Sequence, residues 1–542
     1  MKPAADRSGR GAADRSLGLL LAGWAAFAIA SFWLRPLWPV DETRYVSVAW
    51  EMWQRGDFLV PWVNGEPYSH KPPLLFWLIH LGWAAFGVNE WWPRLIGPLC
   101  AAAAVPLLSR MENLLWKSRE RSPDNFHTSA WVLFGTLLFA AFITLTMMDL
   151  LLTLCVMAGM IGVLELSHAR RGAGLAWLGA GIGLGVLAKG PVVLLHVLPA
   201  ALAAPWWAPQ VKARLGRWYL DLVLGVLIGA AIALAWAVPA GLQGGEAYRR
   251  AIFWGQTAGR VSESFAHRAP LWYYLPLLPL ILFPWLVWPR FWQGLKDSWR
   301  ESRFLLAWLV PTLVGFSLVS GKQAKYLVPM LPAFALLAGI SLEKAKEAPR
   351  GWQMWPPLAG FLALPAGLFW IRSRPLELGL PEWGADIPLW PIVVLAAAAP
   401  LLMLFSRENN RVQVRALAFA VLCGFAVAGA GILPAFAPYG DTLPAAQYLA
   451  AQQRLKVPLA HLGKYHAQYN FTGRLGAPIA ILDPGELRAW VAAHPAGQVI
   501  TVERNASPAT GPAQPEYQGR FRGAWLEVWR GAALLQARPE LR

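Results

Sequence analysis

The chain has 542 residues, of which 56% are hydrophobic and only 15% charged, and its mean hydropathy is +0.40. A soluble protein of this length has too little interior to hide that much apolar surface, and disordered chains lack it altogether. The net charge of +17, from 48 Lys plus Arg against 31 Asp plus Glu, would suggest nucleic acid in a soluble protein. Here the basic clusters sit between apolar runs, so the excess reads as cytoplasmic-loop charge of a polytopic helical membrane protein, with no nucleic-acid partner.

The first apolar run, 17–34, follows Lys2, Arg7, Arg10 and Arg15. It resembles a signal peptide, but Phe32, Trp33 and Leu34 carry it past the cleavage-like Ala28-Ile29-Ala30, so an uncleaved first helix after a cytoplasmic segment 1–16 is expected. Further runs fall near 72–88, 93–109, 129–147, 149–167, 173–187, 190–207, 218–240, 271–291, 303–320, 326–342, 353–371, 388–405 and 415–434, fourteen in all. Charge decides how many cross. If 72–88 does not span, the clusters Lys117/Arg119/Arg121, Arg170/Arg171, Lys212/Arg214/Arg217, Lys296/Arg300/Arg303, Lys344/Lys346/Arg350 and Arg407/Arg411/Arg415 all fall on the inner side. The expected frame is therefore all-α, with thirteen spans over 17–436 and 72–88 as a juxtamembrane helix started by Pro72-Pro73 in an outer loop 36–92. From 437 to 542 polar residues return, and segments such as Val499-Ile500-Thr501-Val502 predict a small α/β domain on the outer, periplasmic side.

Against that frame, acids and lone cations on the outer side need explaining. The first outer loop carries Asp41-Glu42-Thr43-Arg44-Tyr45 and, later, Tyr68-Ser69-His70-Lys71-Pro72-Pro73. One carboxylate of the acid pair reads either as a solvated helix cap or as a general base in a sheltered site. Asp149, between Met148 and Leu150, has no local charge partner, and an acid at membrane depth marks a site by default. Lys189 occupies a short outer turn, and Lys322 and Lys325 occupy another. They suit a lipid phosphate, or else snorkel to head groups. The long outer loop 241–270 adds Arg260 and His267. His70 and His267, with Asp149, are the candidate metal ligands. Phosphate-binding GxxxxGK[ST] and nucleophile-elbow G-x-S-x-G motifs are both missing from the sequence.

These residues carry a resemblance. Asp41-Glu42-Thr43-Arg44-Tyr45, Tyr68–Leu74, Met148-Asp149, Lys189-Gly190, His267–Tyr274 and the Ser320–Pro332 turn, in this order, resemble the GT-C membrane glycosyltransferases that use polyprenyl-phosphate sugars. The likeness is nearest to the 4-amino-4-deoxy-L-arabinose lipid A transferases, relatives of the protein O-mannosyltransferases. It implies Asp41 at the reacting centre with Asp149 nearby. It implies that Arg44, Lys71 and Lys189 approach the donor phosphate, and Tyr45, Tyr68, Arg260, Lys322 and Tyr326 are assigned to the same site. It implies an undecaprenyl-phosphate sugar donor, lipid A or another outer-leaflet acceptor, a divalent zinc ion, no nucleotide, and a bacterial inner-membrane location. One position departs: His70 stands where the family has Glu. A protein hydroxyl acceptor, and a non-enzymatic lipid transporter, are the competing expectations.

Overall fold

The structure, a computed structural model, describes residues 5–116, 127–255, 268–345, 347–374, 384–504 and 513–541. Lys117, Arg119, Arg121, Arg260, His267 and Lys346 lie outside the described residues.

Helix α1 (Ala5–Leu34) leads into a short connecting segment and then α2 (Asp41–Arg55). Acids open α2, Arg55 closes it, and Gly56 ends it in the left-handed conformation with its N–H on the Met52 and Trp53 carbonyls. Tyr45, Val46, Val48, Ala49 and Met52 bury one face of α2, which lies along the bundle as an amphipathic helix. A two-residue hairpin follows, β1 (Trp62–Val63) and β2 (Glu66–Pro67), turned by Asn64 and Gly65 at positive φ. It delivers the chain to α3 (Leu74–Phe86), which has 13 residues and is about 20 Å long, short of the ~30 Å apolar layer.

Next come α4 (Trp91–Leu115), α5 (Thr128–Phe134), α6 (Leu137–Ile143), α7 (Met148–Ser167), α8 (Arg171–Lys189) and α9 (Val192–Leu202). Seven helices of the described residues are long and apolar enough to cross a membrane: α4, α7, α8, and those over Pro209–Gln243, Ala324–Lys344, Gly351–Ser373 and Asn410–Gly431. Shorter apolar helices cover Ser16–Phe32, α3, α9, Arg303–Leu318 and Leu389–Met403.

Two runs expected to be continuous are broken. The 129–147 run is split into α5 and α6 at Gly135-Thr136, and 271–291 holds only short helical pieces because Pro276, Pro279, Pro284 and Pro289 interrupt it. The two breaks satisfy each other. Leu137 N–H donates to the Phe283 carbonyl at 3.0 Å, and the Trp285 indole donates to the Val132 carbonyl at 2.9 Å and to the Thr136 hydroxyl. Backbone groups freed at membrane depth need such partners.

The last unit is α/β. A five-stranded sheet has the order β4-β3-β5-β7-β6, formed by β3 (Leu459–Leu462), β4 (Ala480–Leu482), β5 (Gln498–Glu503), β6 (Tyr517–Phe521) and β7 (Ala524–Arg530). β3 is parallel to both β4 and β5, while β7 pairs antiparallel with β5 and β6. Helix Leu443–Arg454 covers one face through Ala446 and Leu449. Leu487–Ala493 and Gly531–Ala537 cover the other through Leu487, Val491 and Leu534.

The unit is tied to the α2–hairpin segment of the membrane domain. Asn64 exchanges two hydrogen bonds with the Ile479 backbone, each 2.8 Å. The Ser47 hydroxyl donates to the Ala467 carbonyl at 2.8 Å and accepts from Phe471 N–H at 3.1 Å.

Candidate active site

Asp41 is the first residue of α2, so its carboxylate stands at the helix N-terminus. Arg44, one turn on, places Nη2 2.5 Å from Oδ1 of Asp41, and Lys325 places Nζ 3.0 Å from Oδ2. Burial pushes the Asp41 carboxyl up, but the Lys325 ammonium, with Arg44 and Lys71, outweighs it and holds the group below the usual carboxylate range. Lys71, delivered by the β1–β2 hairpin, is thus close enough to act on Asp41. Lys325 comes from far along the chain, at the start of the Ala324–Met330 turn.

Asp149 is the second residue of α7 and is fully buried. Lys189, the last residue of α8, places Nζ 2.5 Å from its Oδ1. The same ammonium lies 5.3 Å from the centre of the Tyr326 ring. Tyr45 links the two halves: it is buried, and both Asp41 and Asp149 act on its phenol, which burial first and then these acids push upward. Arg44 stacks over Tyr45 at 5.6 Å and is also influenced by Tyr68. The fold therefore brings Asp41, Arg44, Tyr45, Tyr68, Lys71, Asp149, Lys189 and Tyr326 to one end of the bundle, together with Lys325.

Lys322 is placed otherwise. It is buried, and its Nζ donates to the Ala269 carbonyl at 2.8 Å beside the Arg268–Gly321 bridge. His70 is exposed, with its ring 5.3 Å from that of Tyr68. Among the described residues no three His, Cys, Asp or Glu side chains gather as a metal would require. Of the candidate ligands, His267 lies outside the described residues, and His70 and Asp149 alone do not make up a zinc ion's donor set.

The acid pair divides its labour. Glu42 is buried and takes a two-pronged ion pair from Arg35, with Nη1–Oε2 at 2.5 Å and Nη2–Oε1 at 3.0 Å. It also accepts from Trp38 N–H at 2.9 Å and from Thr146 N–H at 2.6 Å. Thr146 lies three residues before Asp149. Glu42 therefore clamps the start of α2 to the turn before α7, and this clamp sets the two site acids in fixed relation. Arg94 supports it by donating to the Ser31 and Arg35 carbonyls at 2.7 and 2.8 Å. In the sequence Asp41 and Glu42 look equivalent. By residue type only Arg35, seven residues upstream, hints at the role of Glu42; the family resemblance singles out Asp41.

A cavity of about 700 Å³ lies at the far ends of α4 and α7, lined by Arg110, Glu165 and Arg170 among others. Helix α7, about 30 Å long, separates it from Asp149.

Comparisons with known proteins decide the family. Residues 70–236 match the family model described as dolichyl-phosphate-mannose-protein mannosyltransferase. An undecaprenyl phosphate-alpha-4-amino-4-deoxy-L-arabinose arabinosyl transferase of Pseudomonas fluorescens is 32% identical over 391 residues, 68% of this chain and 68% of the relative. Its counterpart in Pseudomonas aeruginosa is 31% identical over 436 residues, 73% of this chain and 77% of the relative. The chain belongs to this arabinosyl transferase family. It is a glycosyltransferase. The fold agrees: the crystal structure of ArnT from Cupriavidus metallidurans bound to undecaprenyl phosphate superimposes with a TM-score of 0.74 at 20% identity, covering 94% of this chain and 98% of that one. The architecture is the GT-C membrane fold, and the transporter expectation falls away.

Proposed function

We propose that this protein moves 4-amino-4-deoxy-L-arabinose from undecaprenyl phosphate to lipid A at the outer face of a bacterial inner membrane. The observation that carries this is a pair of carboxylates, Asp41 and Asp149, each bridged to cations at one end of a bundle whose chain belongs to this family.

The donor phosphate is an anion arriving among Arg44, Lys71, Lys189 and Lys325. It competes with Asp41 and Asp149 for them, so donor binding exchanges ion pairs rather than desolvating bare charges. The acceptor oxygen attacks the anomeric carbon. The bond from that carbon to the donor's phosphate oxygen breaks, and the electron pair leaves with undecaprenyl phosphate. The released phosphate is more negative than the bound diester, and the cations stabilise this difference in the transition state. A single displacement inverts the anomeric centre. An acceptor hydroxyl gives its proton to Asp41, whereas a phosphate acceptor is already anionic and needs none. In either case a carboxylate beside the sugar stabilises positive charge developing on its ring.

The frame proposed is thirteen spans with the site and the α/β unit on the periplasmic side. Its support is the far end of the bundle. Arg110 and Arg170 bridge Glu165 there, at 2.7 and 3.1 Å, and Arg171 bridges Asp221 at 2.7 Å. Arg214 caps the Leu166 and Ser167 carbonyls of the same end. Clustered arginines mark a cytoplasmic face. The test is transfer by purified protein in lipid vesicles, with undecaprenyl-phosphate aminoarabinose and lipid A as the only substrates. Product is expected from wild type and not from Asp41→Asn.

A further inference from the structure

Three parallel strands, β4, β3 and β5, end on the same edge of the sheet, the edge where loops of α/β sheets hold ligands. The loop after β3 leaves through Gly463, at φ +76°, and its N–H stays on the Leu482 carbonyl of β4 at 2.8 Å. It then alternates. Tyr465 and Ala467 are buried, while Lys464 and His466 are exposed. Two anchors fix it. The Ala467 carbonyl accepts from Ser47 of α2, one helical turn beyond Arg44, and His466 N–H donates to the Gln468 side chain at 3.0 Å. The loop is thereby held over the face of α2 that carries Asp41 and Arg44.

A second loop reaches the same place. The β6–β7 turn holds Arg522 at φ +52°. Its N–H donates to the Tyr439 carbonyl at 2.6 Å, at the end of the last membrane-domain helix. The Arg522 side chain is exposed. Arg44, Arg522, Lys464 and Asp41 all lie close enough to act on the His466 imidazole. Three cations and one acid thus act on it, drawn from the membrane domain and from two loops of the α/β unit that share one edge of the sheet.

Lys71, Lys189 and Lys325 already balance the carboxylates and the donor phosphate. Lys464 and Arg522, the added cations of the α/β unit, are not bridged to either carboxylate of that core, whose ion pairs run to Arg44, Lys189 and Lys325. We infer that Lys464, His466 and Arg522 form a cradle for a phosphate group of the acceptor, so that the α/β unit selects a phosphorylated lipid and brings it to the carboxylate edge. This rests on the glycosyl-transfer reading above. It also explains how an anionic acceptor is held near Asp41 without net repulsion: the cradle supplies the counter-charge, with His466 as a neutral or charged donor.

The experiment uses the full chain in nanodiscs, with bisphosphorylated lipid A and its dephosphorylated form as probes. Binding is measured without donor for wild type and for Lys464→Ala, His466→Ala and Arg522→Ala. Transfer kinetics are measured on the same proteins. Removing any one of these charge-assisted hydrogen bonds should weaken binding of the phosphorylated lipid about tenfold. KM for that acceptor should rise in step, while the donor KM and the kcat at saturating acceptor hold. The dephosphorylated lipid should bind weakly to wild type and be indifferent to all three changes. His466→Gln should recover part of the binding as a neutral donor. Equal binding of the phosphorylated lipid by wild type and all three variants would overturn the cradle even if sugar transfer is intact. A rise in donor KM instead of acceptor KM would overturn it by assigning these cations to the donor. Because binding is read without turnover, weaker binding by the variants supports the cradle even if wild type moves no sugar, an outcome that would sink the transfer reading alone.

Discussion

Lys325 holds one oxygen of the Asp41 carboxylate at 3.0 Å while Arg44 holds the other at 2.5 Å. This acid, which we propose for the reacting centre, is therefore held by two cations from distant parts of the chain. Burial works against ionisation here, and the cations win, so Asp41 lies below its ordinary value of 3.8. Its pairing stabilises the fold fully above 3.8 and is lost as pH falls through the lower folded value.

Replacing Lys325 by methionine removes the largest charge acting on Asp41. The acid limb of the kcat/KM profile is expected to move to higher pH, with activity at pH 7 reduced because the donor phosphate is also deprived of a cation. A pH–rate series on wild type and Lys325→Met, at constant ionic strength, reads this directly. An unmoved acid limb would show that Asp41 does not govern the profile.

Lys189 and Asp149 form a buried pair, so removing one partner strands the other. Lys189→Ala is expected to destabilise the protein by about 3–5 kcal/mol, visible as a lower melting temperature in detergent. Lys189→Ala with Asp149→Asn should recover much of that stability and none of the transfer. Recovery of activity along with stability would mean that the pair is structural only.

Glu42 clamps α2 to the turn before α7, whereas the adjacent Asp41 is the proposed reacting group. Glu42→Gln keeps the shape but unbalances Arg35, and a buried pair broken this way costs about 3–5 kcal/mol. Asp41→Asn, at a carboxylate one-third exposed, should lower the melting temperature less than Glu42→Gln does. Melting curves of the two variants side by side decide it, and the reverse order of stabilities would refute the assignment.

Gly294 lies against the Ser341 carbonyl, where an added Cβ would overlap backbone rather than a movable side chain. Gly294→Ala is expected to force apart Pro289–Asp297 and Leu331–Lys344, at about 1–3 kcal/mol or more. Wild-type expression and melting in this variant would show that the helices can separate freely.

Much of the site was legible in the sequence because membranes make charge expensive. Asp149 and Lys189 stood out as lone charges in apolar surroundings, and the structure pairs them. Asp41, Arg44 and Lys71 stood out as charges on a face poor in cations. What hydropathy cannot register is where a chain turns. Lys322 and Lys325 look alike in sequence, yet the Arg268–Gly321 bridge turns Lys322 onto a backbone carbonyl and leaves Lys325 to reach Asp41. The partners of Glu42 are likewise invisible, because Thr146 is brought to it only by packing. The 129–147 and 271–291 runs read as spans because their apolar content is continuous, whereas prolines and the Gly135-Thr136 break divide them. The sheet order of the α/β unit was beyond reach, since β3 pairs on both sides with strands that follow it at long intervals.

The most direct test is mass spectrometry of lipid A from otherwise identical cells carrying wild type, Asp41→Asn, or no copy of this protein. An aminoarabinose mass on lipid A with wild type alone, while undecaprenyl-phosphate aminoarabinose accumulates in the other two, is the expected result. The same modified lipid A in cells carrying Asp41→Asn, or unmodified lipid A in all three despite abundant donor and folded protein, would contradict the account.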